Sequence, residues 1–385
     1  MSPTQKTILV FSAYYLPGSK GGGPIKTIAN LISNAPSDFY FYIVTNDHDL
    51  GETTPYQDIY PGCWNRSDNT QIFYLQPGAK FFFQILRIFK KKKVHVVYIN
   101  SFFSPKFSLL PLLLAKTLRQ QVVLGPRGEF SAGALNFKRR KKTLFLTLYK
   151  MLRLHKGVVF QASSQYEAKD IHRALGHSVD IKIAEDIASK EFVSETPGHE
   201  RDSLKAVFVS RISPMKNLLG ALDIIANSKY PLRYDIYGPI EDPSYWEQCQ
   251  KKIKSLPENI QVNYQGELSP KEVIPTISQY DLFFMPTKGE NYGHVIAEAL
   301  CAGLPLLISD TTPWRNLEVK GIGWDLPLDR PHAFTDILHH VYQMATEEHA
   351  TLRQRVLCWS KARFSQDDAI EANIAMFEYA LQKRR

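Results

Sequence analysis

Short apolar runs recur along this chain, and most are followed by a stretch with helical spacing. Strands joined through helices pair in parallel, and helices then cover both faces of the sheet. The alternation runs in two series. The first predicts strands at 7–11, 39–45, 71–75, 94–99, 121–124 and 157–161, with helices at 24–33, 80–92, 106–118, 139–154 and 164–174. The second predicts strands at 204–210, 234–237, 260–264, 280–286 and 304–310, with helices at 217–226, 245–255, 271–279 and 294–300. A polar segment rich in helix and strand breakers, 194–202, parts the two series and reads as a linker or surface turn. A chain of 385 residues has room for two such domains. The expected division is 1–190, 200–362 and a closing helix within 363–385 that returns to the first domain.

The most informative unit of the second series lies at 285–300. A buried strand closed by Pro286 leads through a glycine loop into a helix that begins near His294. Glu290 stands in the loop, and Glu298 follows after seven intervening residues, about one turn from the helix start. A helix N-terminus presents N–H groups and partial positive charge, which suits a phosphate. A loop glutamate can accept hydrogen bonds from sugar hydroxyls, and one within the helix can accept them from a ribose. The bland alternative for Glu298 is a solvated helix residue. The combination points to a nucleotide-sugar site.

Arg211 and Lys216 follow the first strand of the same series, at the end where α/β sheets bind ligands. Both can offset the charge of a diphosphate, Arg as a fork and Lys as a point charge. In the first series, Gly21-Gly22-Gly23 stands between strand and helix, with Pro24 fitted to a first helical turn. This loop lets backbone approach a ligand closely, but it does not have the G-x-G-x-x-G spacing. Asn100 ends one strand, and Arg127 and Glu129 follow the next; a plain ion pair between the latter two is the alternative reading.

The spacing of Glu290 and Glu298 resembles the E-x7-E signature of glycosyltransferase family 4, and Arg211 to Lys216 is similar to the Arg-x4-Lys element of that family. The resemblance implies an α/β protein of GT-B fold, with two Rossmann-like domains facing across a cleft. It implies a retaining enzyme that moves a sugar from a nucleotide-diphosphate sugar by front-face substitution. Glu290, Arg211 and Lys216 are the implied catalytic residues. Gly22, Gly23, Asn291, Tyr292, Gly293 and Glu298 join Arg211 and Lys216 on the donor. Asn100, Arg127 and Glu129 fall on the acceptor side. With 138–142, they resemble a bacterial subgroup that assembles surface polysaccharides such as O-antigen, capsule or exopolysaccharide, which implies a glycan or lipid-linked acceptor. Two positions depart from the pattern: Asn217 follows Lys216 where glycine is usual, and Asn100 stands where many members carry a histidine. A GT-B epimerase or phosphorylase, or a non-catalytic GT-B-like scaffold that binds membranes or nucleic acid, is the alternative class. A phosphorylase requires a cofactor lysine or phosphate site, and neither is identifiable. Intact Arg211, Lys216, Glu290 and Glu298 oppose a scaffold.

Charge narrows the partners. The chain carries a net +9, concentrated in the N-terminal half and especially in the basic stretches 87–93 and 138–156. In the latter, cations flank a Leu/Phe/Tyr/Met-rich helix, a pattern that can lie on an anionic membrane. No nucleic-acid motif accompanies the charge. No apolar run is long enough to span a bilayer, and the first strand, with Pro and Gly close behind, does not read as a signal peptide. The four cysteines show neither zinc spacing nor a disulfide framework, which fits a reducing compartment, and Cys301 reads as a small core residue. The expected location is cytoplasmic, peripheral at the inner face of the plasma membrane. Asp47-His48-Asp49 mimics a D-x-D metal motif but sits in a polar turn. No metal or cofactor is expected in catalysis.

Overall fold

The computed structural model of the protein describes residues 5–67, 70–76, 78, 80–92, 94–136, 139–195 and 202–383. Most of the expected linker (196–201) and residues 93 and 138 of the basic stretches lie outside them. The chain forms two compact units: residues 1–187 with 367–385, and residues 188–366.

The first unit is built on a sheet of strands β1 (Lys6–Phe11), β2 (Phe39–Asn46), β3 (Trp64–Ser67), β4 (Thr70–Leu75), β5 (Val96–Ile99), β6 (Gln121–Leu124), β7 (Val158–Ala162) and β8 (Asp180–Ile183). Their order is β3-β4-β2-β1-β5-β6-β7-β8. Every pairing is parallel except β3 with β4. Successive side chains of a strand point to opposite faces, and β1 shows it. Leu9 and Phe11 belong to one core with the helices Lys80–Lys91, Leu110–Thr117 and Arg139–Met151. Ile8 and Val10 belong to the other, with the helices Gly23–Asn34 and Asp368–Gln382. Met376, Phe377 and Ala380 of the last helix are buried there, so the chain's final helix completes the first unit's core. The expected helix at 106–118 opens instead with a wide turn, Pro105–Leu109, before the α-helix Leu110–Thr117. Pro111 lacks the N–H that a longer helix would use there.

The second unit has strands β9 (Leu204–Val209), β10 (Leu232–Tyr237), β11 (Ile260–Gly266), β12 (Leu282–Met285), β13 (Leu306–Ser309) and β14 (Gly323–Leu326). They are ordered β11-β10-β9-β12-β13-β14, all parallel. The central strands are near-continuous apolar runs, as a sheet buried on both faces demands. Gly323 opens β14 where a side chain would collide with the backbone of Leu306. The helices Pro331–Gln343 and Thr346–Phe364 close the unit. From the latter, buried Arg353 donates to the carbonyls of Ser278 (2.7 Å) and Gly303 (3.2 Å).

Candidate functional site

In the second unit the chain winds outward from β9 in one direction to β10 and β11, then returns to β12 and continues to β14. The order reverses between β9 and β12. In open α/β sheets, ligands bind beyond the carboxyl ends of the strands at such a reversal. Arg211 and Lys216 stand in the loop after β9, and Glu290 in the loop after β12, so residues 79 apart in sequence share one sheet end.

The β9 loop is held firmly. Ile212 N–H donates to the Pro239 carbonyl (2.8 Å), and Gly238 brings its backbone so close to Ser210 that a side chain would collide with the carbonyl. Arg211 ion-pairs with Glu241 at 2.7 Å, both partly exposed. Lys216 turns to the other loop, where its Nζ lies 2.5 Å from Glu290 Oε1. These side chains are only 13% and 11% exposed.

Asn217 explains its own departure from glycine. Its φ of 58° and ψ of 37° are left-handed, a region that glycine enters freely and asparagine tolerates better than most residues. Its Nδ2 donates to the Pro286 carbonyl at 2.8 Å, a bond glycine cannot make. The two loops are joined further. Lys288 N–H donates to the Met215 carbonyl (2.9 Å), as does Thr287 Oγ1 (3.2 Å). Ser309 Oγ and Thr311 Oγ1 both donate to the Thr287 carbonyl. The sequence singled out neither Thr287 nor Ser309; their only signal is short polar residues at the ends of apolar strands.

Gly293 is left-handed (φ 82°, ψ 64°) and caps the helix His294–Cys301, turning the chain sharply after Asn291 and Tyr292. Tyr292 is buried against Trp314, whose indole Nε1 donates to the Tyr292 carbonyl at 2.5 Å. Glu298 is buried within this helix, which removes the solvated-helix alternative. Cys301 is a core thiol, pushed up to about 12 by burial and then by the charge of Glu298.

In the first unit the strand order reverses between β1 and β5. The glycine loop follows β1 and Asn100 follows β5. Gly22 has φ 67° and ψ −134° and precedes the helix Gly23–Asn34, with Pro24 in its first turn. Asn100 is buried. Its Nδ2 donates to the Pro24 carbonyl (3.1 Å), and its Oδ1 accepts from Arg127 Nε (2.6 Å). Arg127 also ion-pairs with Asp186 (2.6 Å) and donates to Gln161 Oε1 (3.0 Å) and to the Tyr98 hydroxyl. Glu129 does not answer Arg127. Its carboxylate accepts from the N–H groups of Phe102 (2.9 Å) and Phe103 (2.7 Å), and burial pushes its pKa up. The ion pair between Arg127 and Glu129 is therefore corrected: Arg127's partner is Asp186, 59 residues away. All three residues have polar atoms committed inside the unit.

Asp49 of the D-x-D triplet accepts from the N–H groups of Ser19 (2.7 Å), Lys20 (3.1 Å) and Leu50 (2.8 Å), and so anchors the chain entering the glycine loop. Asp47 Oδ1 pairs with His48 at 2.7 Å. Among the described residues, no cluster of three or more His, Cys, Asp or Glu could hold a metal ion.

Residues 189–351 match the family model described as Glycosyl transferases group 1. No curated protein matches the chain. Among solved structures, Anabaena HepE in complex with UDP and glucose is similar over 97% of this chain and 99% of its own, at 15% identity and a TM-score of 0.72. Sucrose-phosphate synthase from Thermosynechococcus elongatus is similar over 99% and 100%, at 15% identity and a TM-score of 0.72. A glycosyltransferase from Rickettsia africae is similar over 98% and 99%, at 14% identity and a TM-score of 0.67. The chain has the GT-B fold, and the segment that carries Arg211, Lys216, Glu290 and Glu298 is the one that matches the group 1 glycosyl transferases.

Proposed function

We propose that the protein is a retaining glycosyltransferase of family 4 that takes its sugar from a nucleotide-diphosphate sugar. The observation that carries this reading is the Lys216–Glu290 pair at the strand-order reversal of the segment matching the family model. The UDP and glucose held by HepE support the donor class.

Glu290 orients the donor sugar, and the N–H groups of Asn291 to Gly293 hold the sugar or the diphosphate at the start of the helix. Arg211 and Lys216 neutralise charge that develops on the leaving diphosphate. Glu298 binds the ribose. Substitution takes place on the front face of the anomeric carbon, so its configuration is retained. No metal is needed, because two cations meet the diphosphate. Gly22 and Gly23 form a loop in the first unit where backbone can approach a ligand closely. Asn100, Arg127 and Glu129 fix the loops after β5 and β6 that meet the acceptor. The acceptor is a glycan or lipid-linked glycan of bacterial O-antigen, capsule or exopolysaccharide assembly, met at the inner face of the plasma membrane.

A thermal-shift screen of nucleotide sugars tests the donor class. One nucleotide family is expected to raise the melting temperature in the wild type and not in Lys216→Ala. No stabilisation by any nucleotide sugar would sink the reading.

A further inference from the structure

The helices Lys80–Lys91, Leu110–Thr117 and Arg139–Met151 pack on one face of the first sheet, and their outer surface is unlike the rest of the molecule. On Arg139–Met151, Tyr149 is buried beside partly buried Phe145, yet Leu144, Leu148 and Met151 are turned outward. At about 100° per residue these three fall on one narrow arc. Leu144 is 62% exposed and Met151 68%. This helix is apolar on both sides, and only one side meets the core. Phe82 and Phe83 add a second exposed apolar step from Lys80–Lys91, their rings edge to face at 5.7 Å; Phe83 is 69% exposed. A surface helix ordinarily turns polar groups outward.

The charge of this region is as one-sided as its apolarity. Between Asn69 and Tyr166 the sequence has eighteen Lys and Arg and one acidic residue, Glu129. That carboxylate is buried, accepting from the N–H groups of Phe102 and Phe103. Arg139, Arg140, Lys141 and Lys150 are exposed on the helix that carries the apolar arc. No helix among the described residues is long and apolar enough to cross a membrane.

We propose, building on the membrane-face reading above, that this helical layer docks on an anionic bilayer by two combined means. The Leu144–Leu148–Met151 arc and the Phe82–Phe83 step enter the interfacial region, while the surrounding cations meet lipid phosphates. A soluble polyanion would use the cations and leave the apolar arc idle. A bilayer uses both.

Co-sedimentation tests this with vesicles of phosphatidylcholine, alone or mixed with phosphatidylglycerol. Wild-type protein is expected to partition onto the mixed vesicles and to stay in solution with phosphatidylcholine alone. Arg139→Ser/Arg140→Ser/Lys141→Ser is expected to lower partitioning at least about tenfold. Leu144→Ser/Leu148→Ser/Met151→Ser is expected to lower it by a similar factor and to abolish the fraction that survives high salt. These side chains are exposed, so both variants should keep the wild-type circular dichroism spectrum. No binding by wild type at low salt overturns the proposal, as does full binding by the apolar variant. A wild-type dimer that the apolar variant dissolves, seen by sedimentation equilibrium, assigns the face to a second copy and also overturns it. Calorimetry with uridine, guanosine, adenosine and thymidine diphosphates on the same proteins separates the two readings: absent binding of all of them would count against the glycosyltransferase and leave the vesicle result standing.

Discussion

Lys216 and Glu290 form an ion pair at 2.5 Å that bridges the two loops at the reversal of the second sheet, and both side chains are almost out of solvent. Without ligand, each satisfies the other. In the proposed mechanism, a diphosphate arriving at the same place would offer Lys216 a second anion and leave Glu290 able to turn to a sugar hydroxyl. The pair keeps two charged groups ready without leaving either one buried alone.

Glu290→Gln tests that double role. Glutamine keeps the size and an acceptor oxygen but loses the charge. Turnover is expected to fall about a hundredfold or more, the scale seen when one preorganised electrostatic contact is removed. The melting temperature should move far less than in Glu290→Ala. Steady-state kinetics beside a thermal melt checks both, and activity within threefold of wild type would remove Glu290 from the mechanism.

Arg211→Ala and Lys216→Ala are each expected to weaken nucleoside-diphosphate binding, read by calorimetry. Their stabilities should differ. Arg211 and Glu241 are a partly exposed pair, and such pairs contribute about 1 kcal/mol or less. Lys216→Ala strands Glu290 with little solvent and should melt clearly lower. Unchanged dissociation constants in both variants would move the donor site elsewhere.

Asn217 offers a backbone test. Alanine in a left-handed conformation costs about 1–2 kcal/mol, and Asn217→Ala also loses the bond to the Pro286 carbonyl. Asn217→Gly loses only the bond. Denaturant titration should rank wild type first, Asn217→Gly next and Asn217→Ala last. Alanine more stable than glycine would contradict the left-handed assignment.

Much of this arrangement was legible because the central strands are continuous apolar runs ended by Gly, Pro or charge. β9 and β12 announced themselves, and with them Arg211, Lys216, Glu290 and Glu298. Of the four edge strands, β11 was expected at 260–264, but the other three were not. Trp64–Ser67 and Asp180–Ile183 are short, and each includes polar or charged residues. β14 opens on a glycine that reads as a breaker and is required by contact with Leu306. Partnerships over distance were also hidden. Arg127 has Glu129 two positions away, yet its partner Asp186 is brought in by β7 and β8. Asp49 looked like half of a metal motif, and only the folded loop shows the three N–H groups that use it.

Activity is expected to persist in excess EDTA. Asp49 already accepts three N–H groups and Asp47 pairs with His48, so the D-x-D triplet has structural work in the first unit. In the proposed mechanism, Arg211 and Lys216 supply positive charge for the leaving group. Turnover measured with and without chelator decides the matter. Complete loss in EDTA, restored by Mn²⁺ or Mg²⁺, would overturn the metal-free mechanism.

The last helix, Asp368–Gln382, is expected to be essential to the first unit although it lies at the other end of the sequence. Phe377 is fully buried, edge-on to Tyr98 at 5.4 Å and to Phe41 at 6.5 Å. Phe377→Ala would leave a void between this helix and the sheet, and such truncations cost about 3–5 kcal/mol. Arg211, Lys216, Glu290 and Glu298 all lie in the other unit. Scanning calorimetry of Phe377→Ala should therefore show one transition moved down, while nucleotide binding by the second unit survives below that transition. If the variant melts as wild type does, this helix is no part of the first unit's core.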